Sequence, residues 1–182
     1  VDNVSPLFNL NQFPLTSGNW WQYQITDFFG GSTDTLILSI TSTVNSGDSV
    51  IYTCQFFQNG VLADSGHYIK SGSAISYAGN PRYSVFGFFN LKFPLSGTQK
   101  WPGTFPYDTL REAGIVASFN ALGNIYSPLY TINRVFDDPH YKLEQNIFLT
   151  PEVGIVFQSI NVQSDTAADL WESIQLMNYH LQ

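Results

Sequence analysis

One cysteine and seven basic residues are what this 182-residue chain has least of, and each shortage closes off a class of chemistry. Cys54, alone, can form neither an internal disulfide nor a CxxC site. It alternates with Val50, Tyr52 and Phe56, the pattern of a buried, inert thiol, and no base or cation stands beside it in sequence to lower its pKa. Lys70, Arg82, Lys92, Lys100, Arg111, Arg134 and Lys142 are scattered with no two adjacent, against fourteen acids and a formal net charge of -7. With no basic stripe to neutralise a phosphate backbone, neither nucleic acid nor an anionic membrane surface is an expected partner. The chain also lacks any run of about eighteen apolar residues, so no transmembrane segment is expected. Its first ten residues have neither the charged start nor the apolar core of a signal peptide, which does not argue for cytoplasmic residence.

Charge of either sign is scarce, at 12% of residues, while 43% are apolar and 16% aromatic. Such a chain is globular, and its solubility rests on Asn, Gln, Ser and Thr. That balance suits an extracytoplasmic protein or a carbohydrate-contacting surface. A chain of this size buries roughly 70% of the surface its unfolded form exposes, enough for one sizeable core.

Reaction centres are equally hard to find. Asp137, Asp138 and His140 form the densest ligand cluster, and Asp108 and Glu112 a separate acidic pair, but neither fits an EF-hand, an HExxH helix or a Cys/His zinc pattern. No metal site and no cofactor are expected. The three histidines, His67, His140 and His180, accompany no Gly-x-Ser-x-Gly elbow, and Gly30-Gly31-Ser32 lacks the lysine of a phosphate loop. Glycan hydrolysis needs two carboxyl groups at a set separation. Glu144, which interrupts an apolar strand, is the least ordinary candidate, beside Glu152 and Glu172 and the first-half acids Asp27, Asp34, Asp48 and Asp64.

What is abundant is strand periodicity. Leu36 to Val44 alternates apolar with wetter positions, Asn45-Ser46-Gly47-Asp48 interrupts it, and Val50 to Phe57 resumes it, which predicts a hairpin. Asn59-Gly60 predicts a second tight turn. Further strands are expected near Gly66 to Lys70, Ile75 to Tyr77, Tyr83 to Phe89, Arg111 to Ala121, Ile125 to Phe136 (in two pieces around Pro128), Tyr141 to Leu149 and Val153 to Val162. Leu170 to Leu181 is the last strand candidate; a helix over Thr166 to Leu181 competes with it, but the period-two placement of Trp171, Met177, Tyr179 and Leu181 favours strand. About ten short strands with regular turns give an all-β fold, a curved antiparallel meander, half-barrel or sandwich.

The chain also repeats itself. Phe13-Pro14-Leu15, Ser17-Gly18 and Trp20-Trp21 recur as Phe93-Pro94-Leu95, Ser96-Gly97 and Trp101. The expectation is a single β domain over 1–182, built from two related halves, 8–89 and 90–182, with the repeated segments launching strands. Adjacent Trp20 and Trp21 face opposite sides of a strand, so one of them is a candidate for exposure. Trp20, Trp21 and Trp101 are accordingly the candidate ligand-binding residues, through ring stacking on a sugar or anchoring of a partner, with structural packing as the alternative. Phe56-Phe57 and Phe88-Phe89 pose the same choice between a core and an apolar groove.

The run from Phe13 through Tyr23, Phe-Pro-Leu-Thr-Ser-Gly-Asn-Trp-Trp-Gln-Tyr, resembles the opening of a group of bacterial cell-envelope proteins, many of them Bacteroidetes lipoproteins. Leu149 to Val156 is similar to their late Pro-Gly-Val-Gly-Leu-Val segment, with Thr150 and Glu152 in place of smaller residues, and Tyr179-His180-Leu181 suits their final strand. The resemblance implies a periplasmic or cell-surface location, lipid anchoring through a cysteine upstream of Val1, and no catalytic residues. The expected function is that of a non-enzymatic cell-envelope protein and binding scaffold whose partner is a glycan, a lipid or an envelope protein. A carbohydrate-binding module and a glycan-acting hydrolase are the alternatives. Nothing in the sequence fixes the oligomeric state.

Overall fold

The computed structural model describes residues 7–28, 30–79, 90–96, 99–102, 108–138, 141–164 and 167–182. Among them the chain is strand and turn apart from one 3-10 turn, Leu10–Gln12. The first six strands are β1 (Trp20–Asp27), β2 (Ser32–Ser46), β3 (Ser49–Gln58), β4 (Val61–Ser71), β5 (Ala74–Ala78) and β6 (Leu91–Lys92). The rest are β7 (Lys100–Pro102), β8 (Asp108–Val116), β9 (Phe119–Ala121), β10 (Asn124–Tyr126), β11 (Leu129–Asp138), β12 (Tyr141–Thr150), β13 (Gly154–Ser164) and β14 (Ala167–His180). Twelve of them make one antiparallel sheet in the order β6-β5-β4-β3-β2-β1-β14-β13-β12-β11-β8-β7, and β9 and β10 pair as a separate hairpin. The all-β meander is therefore longer than about ten strands.

Local chemistry sets these elements. Tyr52, Cys54 and Phe56 alternate into the core from β3 while their neighbours are less buried, which registers the strand against β2 and β4. Asn59 and Gly60 adopt φ of 50° and 80°, the signs a tight hairpin demands. The terminal segment is strand because Trp20 to Asp27 gives it a ladder, running from Trp20↔His180 to Asp27↔Glu172. The Arg111 to Ala121 expectation fails in the middle. Ala113 bulges out of the β8–β11 ladder, β8 ends at Val116, and the chain leaves the sheet for the β9–β10 hairpin. Phe119 of that hairpin packs on Phe148 and Phe157, at ring-centroid distances of 5.0 and 4.9 Å, on the face opposite buried Ile147 and Gln158. The Tyr83 to Phe89 strand, the Phe88-Phe89 pair, and Pro139 with His140 lie outside the described residues.

The β1–β14 ladder joins the first and last strands at the centre of the sheet, so its edges are the sequence neighbours β6 and β7. Residues 93–99 alone connect them, and the Trp101 Nε1–H donates to Asn90 O at 2.6 Å. The sheet thus curls until its edges stand a side chain apart, yet no ladder joins them among the described residues. It is an open curved meander and not a closed barrel. Phe8, Phe13 and Phe93 fill one end of the concave side, their rings 5.4 to 6.4 Å apart, with Leu95 and Tyr130 against them.

One set of contacts occurs twice at this plugged end. The Asn19 Nδ2–H donates to Pro14 O at 2.8 Å, and the Gln99 Nε2–H to Pro94 O at 2.7 Å. Buried Trp21 pairs with Leu38 and donates its indole N–H to Val153 O at 2.7 Å; buried Trp101 pairs with Leu110 and donates to Asn90 O. Asn19 O accepts from the Ile40 N–H and Gln99 O from the Glu112 N–H, and each partner strand bulges one residue later, at Thr41 and at Ala113. These positions are a constant 80 residues apart on the launching strand. Ser96 follows Ser17 by 79 residues and so falls one position out of that spacing, and Gly97 lies outside the described residues.

Candidate functional site

The three tryptophans part company. Trp21 and Trp101 are 3% and 4% exposed, with both indole N–H groups committed to backbone carbonyls. Trp20, on the opposite face of β1, is half-buried and stacks on the His180 ring at 6.3 Å and 20°. Of the three, Trp20 alone keeps ring surface near solvent.

The carboxylates divide by face. Glu144 accepts from the Asn133 Nδ2–H at 2.7 Å, and Asn133 also bonds Asn146 and receives the Arg111 Nε–H. Alternation puts this network on the convex side, opposite buried Gln145. Glu112 is buried and accepts from the Ser96 and Gln99 backbone N–H groups, which makes it the tie of the turn before β7. Cys54 is fully buried, and burial pushes its thiol up to about 12. Among the described residues no three His, Cys, Asp or Glu side chains converge as a metal cluster.

Strand register brings together a group that residue spacing did not suggest. Five consecutive strands, β11, β12, β13, β14 and β1, each place one polar residue on the concave face two positions from an isoleucine: Arg134 by Ile132, Gln145 by Ile147, Gln158 by Ile160, Glu172 by Ile174, Asp27 by Ile25. Arg134 pairs with Gln145 and Glu172 with Asp27, so the polar positions form a belt toward the end away from the aromatic plug. The Arg134 Nη1–H donates to Gln145 Oε1 at 3.3 Å, and both residues are buried. Asp34, opposite Ile25, continues the belt and accepts from the Asn59 and Gln58 side-chain amides, which hold its carboxyl below the ordinary range.

Two members of the belt are electrostatically unsettled. Burial, and then the Asp27 carboxylate across the ladder, pushes the Glu172 carboxyl above its ordinary range. Asp27 also accepts the Gly30 N–H at 3.0 Å and so shapes the β1–β2 turn. Gln158 is 1% exposed, and its Oε1 has no hydrogen-bond partner among the described residues. On the facing half of the sheet, Asp64 Oδ2 and the Tyr77 hydroxyl share that condition. A buried acceptor left without a donor costs about 1–3 kcal/mol.

No family model matches the chain, and no curated protein matches it. Two solved structures are similar in fold. A Bacteroides fragilis protein described as exported and as having a YmcC-like fold aligns over 92% of this chain and 98% of its own, with a TM-score of 0.59 and 13% identity. A Parabacteroides distasonis protein described as a lipoprotein aligns over 93% and 98%, with a TM-score of 0.46 and 9% identity. The first of these likenesses places the chain within an established all-β fold.

Proposed function

We propose that this protein is a non-enzymatic, extracytoplasmic binding scaffold of the cell envelope, a cup closed at one end by the Phe8/Phe13/Phe93 plug, with the polar belt as its contact surface. The observation that carries the reading is the belt itself. Polar side chains at inward positions of five consecutive strands are costly in a core unless they meet polar partners, and Gln158 Oε1 meets none among the described residues. The description of the Bacteroides fragilis protein as exported and the low charge of this chain support the location. The twice-occurring corner contacts support two related halves sharing one core.

The Asp27–Glu172 pair favours one alternative, glycan hydrolysis, since it joins a raised carboxyl to a second carboxylate on the concave face, whereas Glu144 sits on the convex one. A sugar-stacking surface is the other alternative, and it narrows to Trp20.

The test is a ligand screen of glycan fragments and lipid headgroups read by amide and indole resonances. Shifts of the Gln145 and Gln158 side-chain amides are the expected outcome. Shifts confined to the Trp20 indole move the site to the convex face, and turnover of a hit that Glu172→Gln abolishes establishes the hydrolase.

A further inference from the structure

The geometry points to a hydroxylated ligand bearing a primary ammonium group, of the amino-sugar class, held on the concave face by Asp27, Glu172 and Gln158. This assignment rests on the cup reading above and deepens it.

The belt's chemistry is one-sided. Its ionisable members are Asp27, Asp34 and Glu172 against Arg134, and Asp64 adds a further carboxylate on the facing half. A phosphate or carboxylate ligand meets like charge here, whereas a cation is drawn in. Among the described residues the side-chain amide and carboxylate oxygens in want of a donor are Gln158 Oε1, Asp64 Oδ2 and, beside β6, Asn90 Oδ1. Asp27 and Glu172 are direct cross-strand partners, which sets their Cβ atoms about 4.5–5.5 Å apart, close enough for one ammonium to donate to both carboxylates.

Gln158 lies one strand further on and two residues along, since Glu172 pairs with Ile160. That diagonal separates the Gln158 and Glu172 backbones by about 7–8 Å, the span of a small ring rather than of a single atom. A ligand whose amine engages the carboxylate pair therefore has a neighbouring hydroxyl in position to donate to Gln158 Oε1. Half-buried Ile25 and Ile160, beside the polar positions, offer apolar surface to the carbon face of such a ring, and Ile174 is buried beneath them. A metal ion fits less well, because the two carboxylates and the Gln158 carbonyl offer at most five oxygens, short of the six to eight that calcium takes.

The experiment is a titration of the full chain at pH 7 with glucosamine, glucose, N-acetylglucosamine and putrescine, read at the Gln145 and Gln158 side-chain amides. Glucosamine is expected to shift the Gln158 amide saturably. Glucose, N-acetylglucosamine and putrescine are each expected to bind at least tenfold more weakly, and Glu172→Gln to weaken glucosamine at least tenfold while retaining the dispersed spectrum of the folded protein. Glucose binding as well as glucosamine overturns the ammonium assignment but leaves the cup reading standing. Putrescine binding as well as glucosamine overturns the hydroxyl contact. The wild-type comparison decides even if the variant does not fold, and if none of the four shifts either amide the amino-sugar assignment falls, whatever the broader ligand screen returns.

Discussion

Phe8 and Leu95 exchange both backbone hydrogen bonds, Phe8 N–H to Leu95 O at 3.1 Å and Leu95 N–H to Phe8 O at 2.9 Å, which ties the first described residues of the chain to the second Phe-Pro-Leu segment. Phe8 is also fully buried, with its ring on Phe13, Phe93 and Tyr130. The plug is thus held by a bridge between the segment that leads into β1, at the centre of the sheet, and the connection that spans its open seam.

Phe8→Ala is expected to cost about 3–5 kcal/mol in urea denaturation, through lost transfer energy and the cavity left among those rings. Leu7→Ala, one residue earlier and 46% exposed, is expected to change stability by no more than about 0.5 kcal/mol. Equal effects at the two positions would mean that the plug does not fix the end of the sheet.

The two corners make a paired prediction. Trp21→Phe and Trp101→Phe each remove an indole N–H from a backbone carbonyl, Val153 O in one case and Asn90 O in the other. Each loss is expected to cost about 1–3 kcal/mol, and the two costs to agree within about 1 kcal/mol. A large cost at Trp21 beside none at Trp101 would show that the corners only look alike.

Most of the fold was legible because it depends on alternation and turn residues. Tyr52, Cys54 and Phe56 announce their strand, and Asn59-Gly60 its turn, without any knowledge of neighbours. The repeat was legible only in part. Ser17-Gly18 and Ser96-Gly97 are the more obvious match, but the equivalence runs through Asn19 and Gln99, whose shared role of bonding a proline carbonyl five residues back is hidden by their different side chains. The belt was illegible for a deeper reason. Asn133-Arg134 and Glu144-Gln145 put polar residues on both faces of one strand, so hydropathy does not say which faces inward. The surviving signal was an isoleucine two positions from each of Arg134, Gln145, Gln158, Glu172 and Asp27, and it acquires meaning only once register sets Arg134 beside Gln145 and Glu172 beside Asp27.

Glu172 makes stability depend on pH. Its carboxyl titrates higher in the folded state than in the unfolded chain, so the folded state binds more protons between the two values. Stability from this group is therefore present below the unfolded value of about 4.3 and is lost as pH rises through the raised folded value. Glu172→Gln is expected to remove that slope, matching the wild type near pH 4 and melting higher at pH 7. A variant that melts lower than the wild type at pH 7 would show that the ionised carboxylate is stabilising.

Cys54 provides a check on the core. A fully buried thiol raised to about 12 is almost wholly protonated at pH 8 and out of reach of reagents. Dithionitrobenzoate is expected to label it only as fast as the protein opens, and at once in denaturant. Rapid labelling of the native protein would contradict the packing of β2, β3 and β4.

Gln158→Leu separates a structural from a ligand-binding role for the belt. In the unliganded protein Gln158 Oε1 is buried without a partner, and a leucine of similar volume between Ile147 and Ile174 removes that acceptor while keeping the space filled. If the glutamine serves a ligand, the substitution is expected to raise stability by about 1 kcal/mol or more, because an unmet acceptor costs about 1–3 kcal/mol, and to abolish the amide response of Gln145 to ligand. Residues kept for binding at the expense of stability behave in this way. If the glutamine serves the fold, the same change lowers stability, since groups that rely on its amide lose their partner. Chemical denaturation of the two proteins side by side distinguishes these outcomes by sign alone.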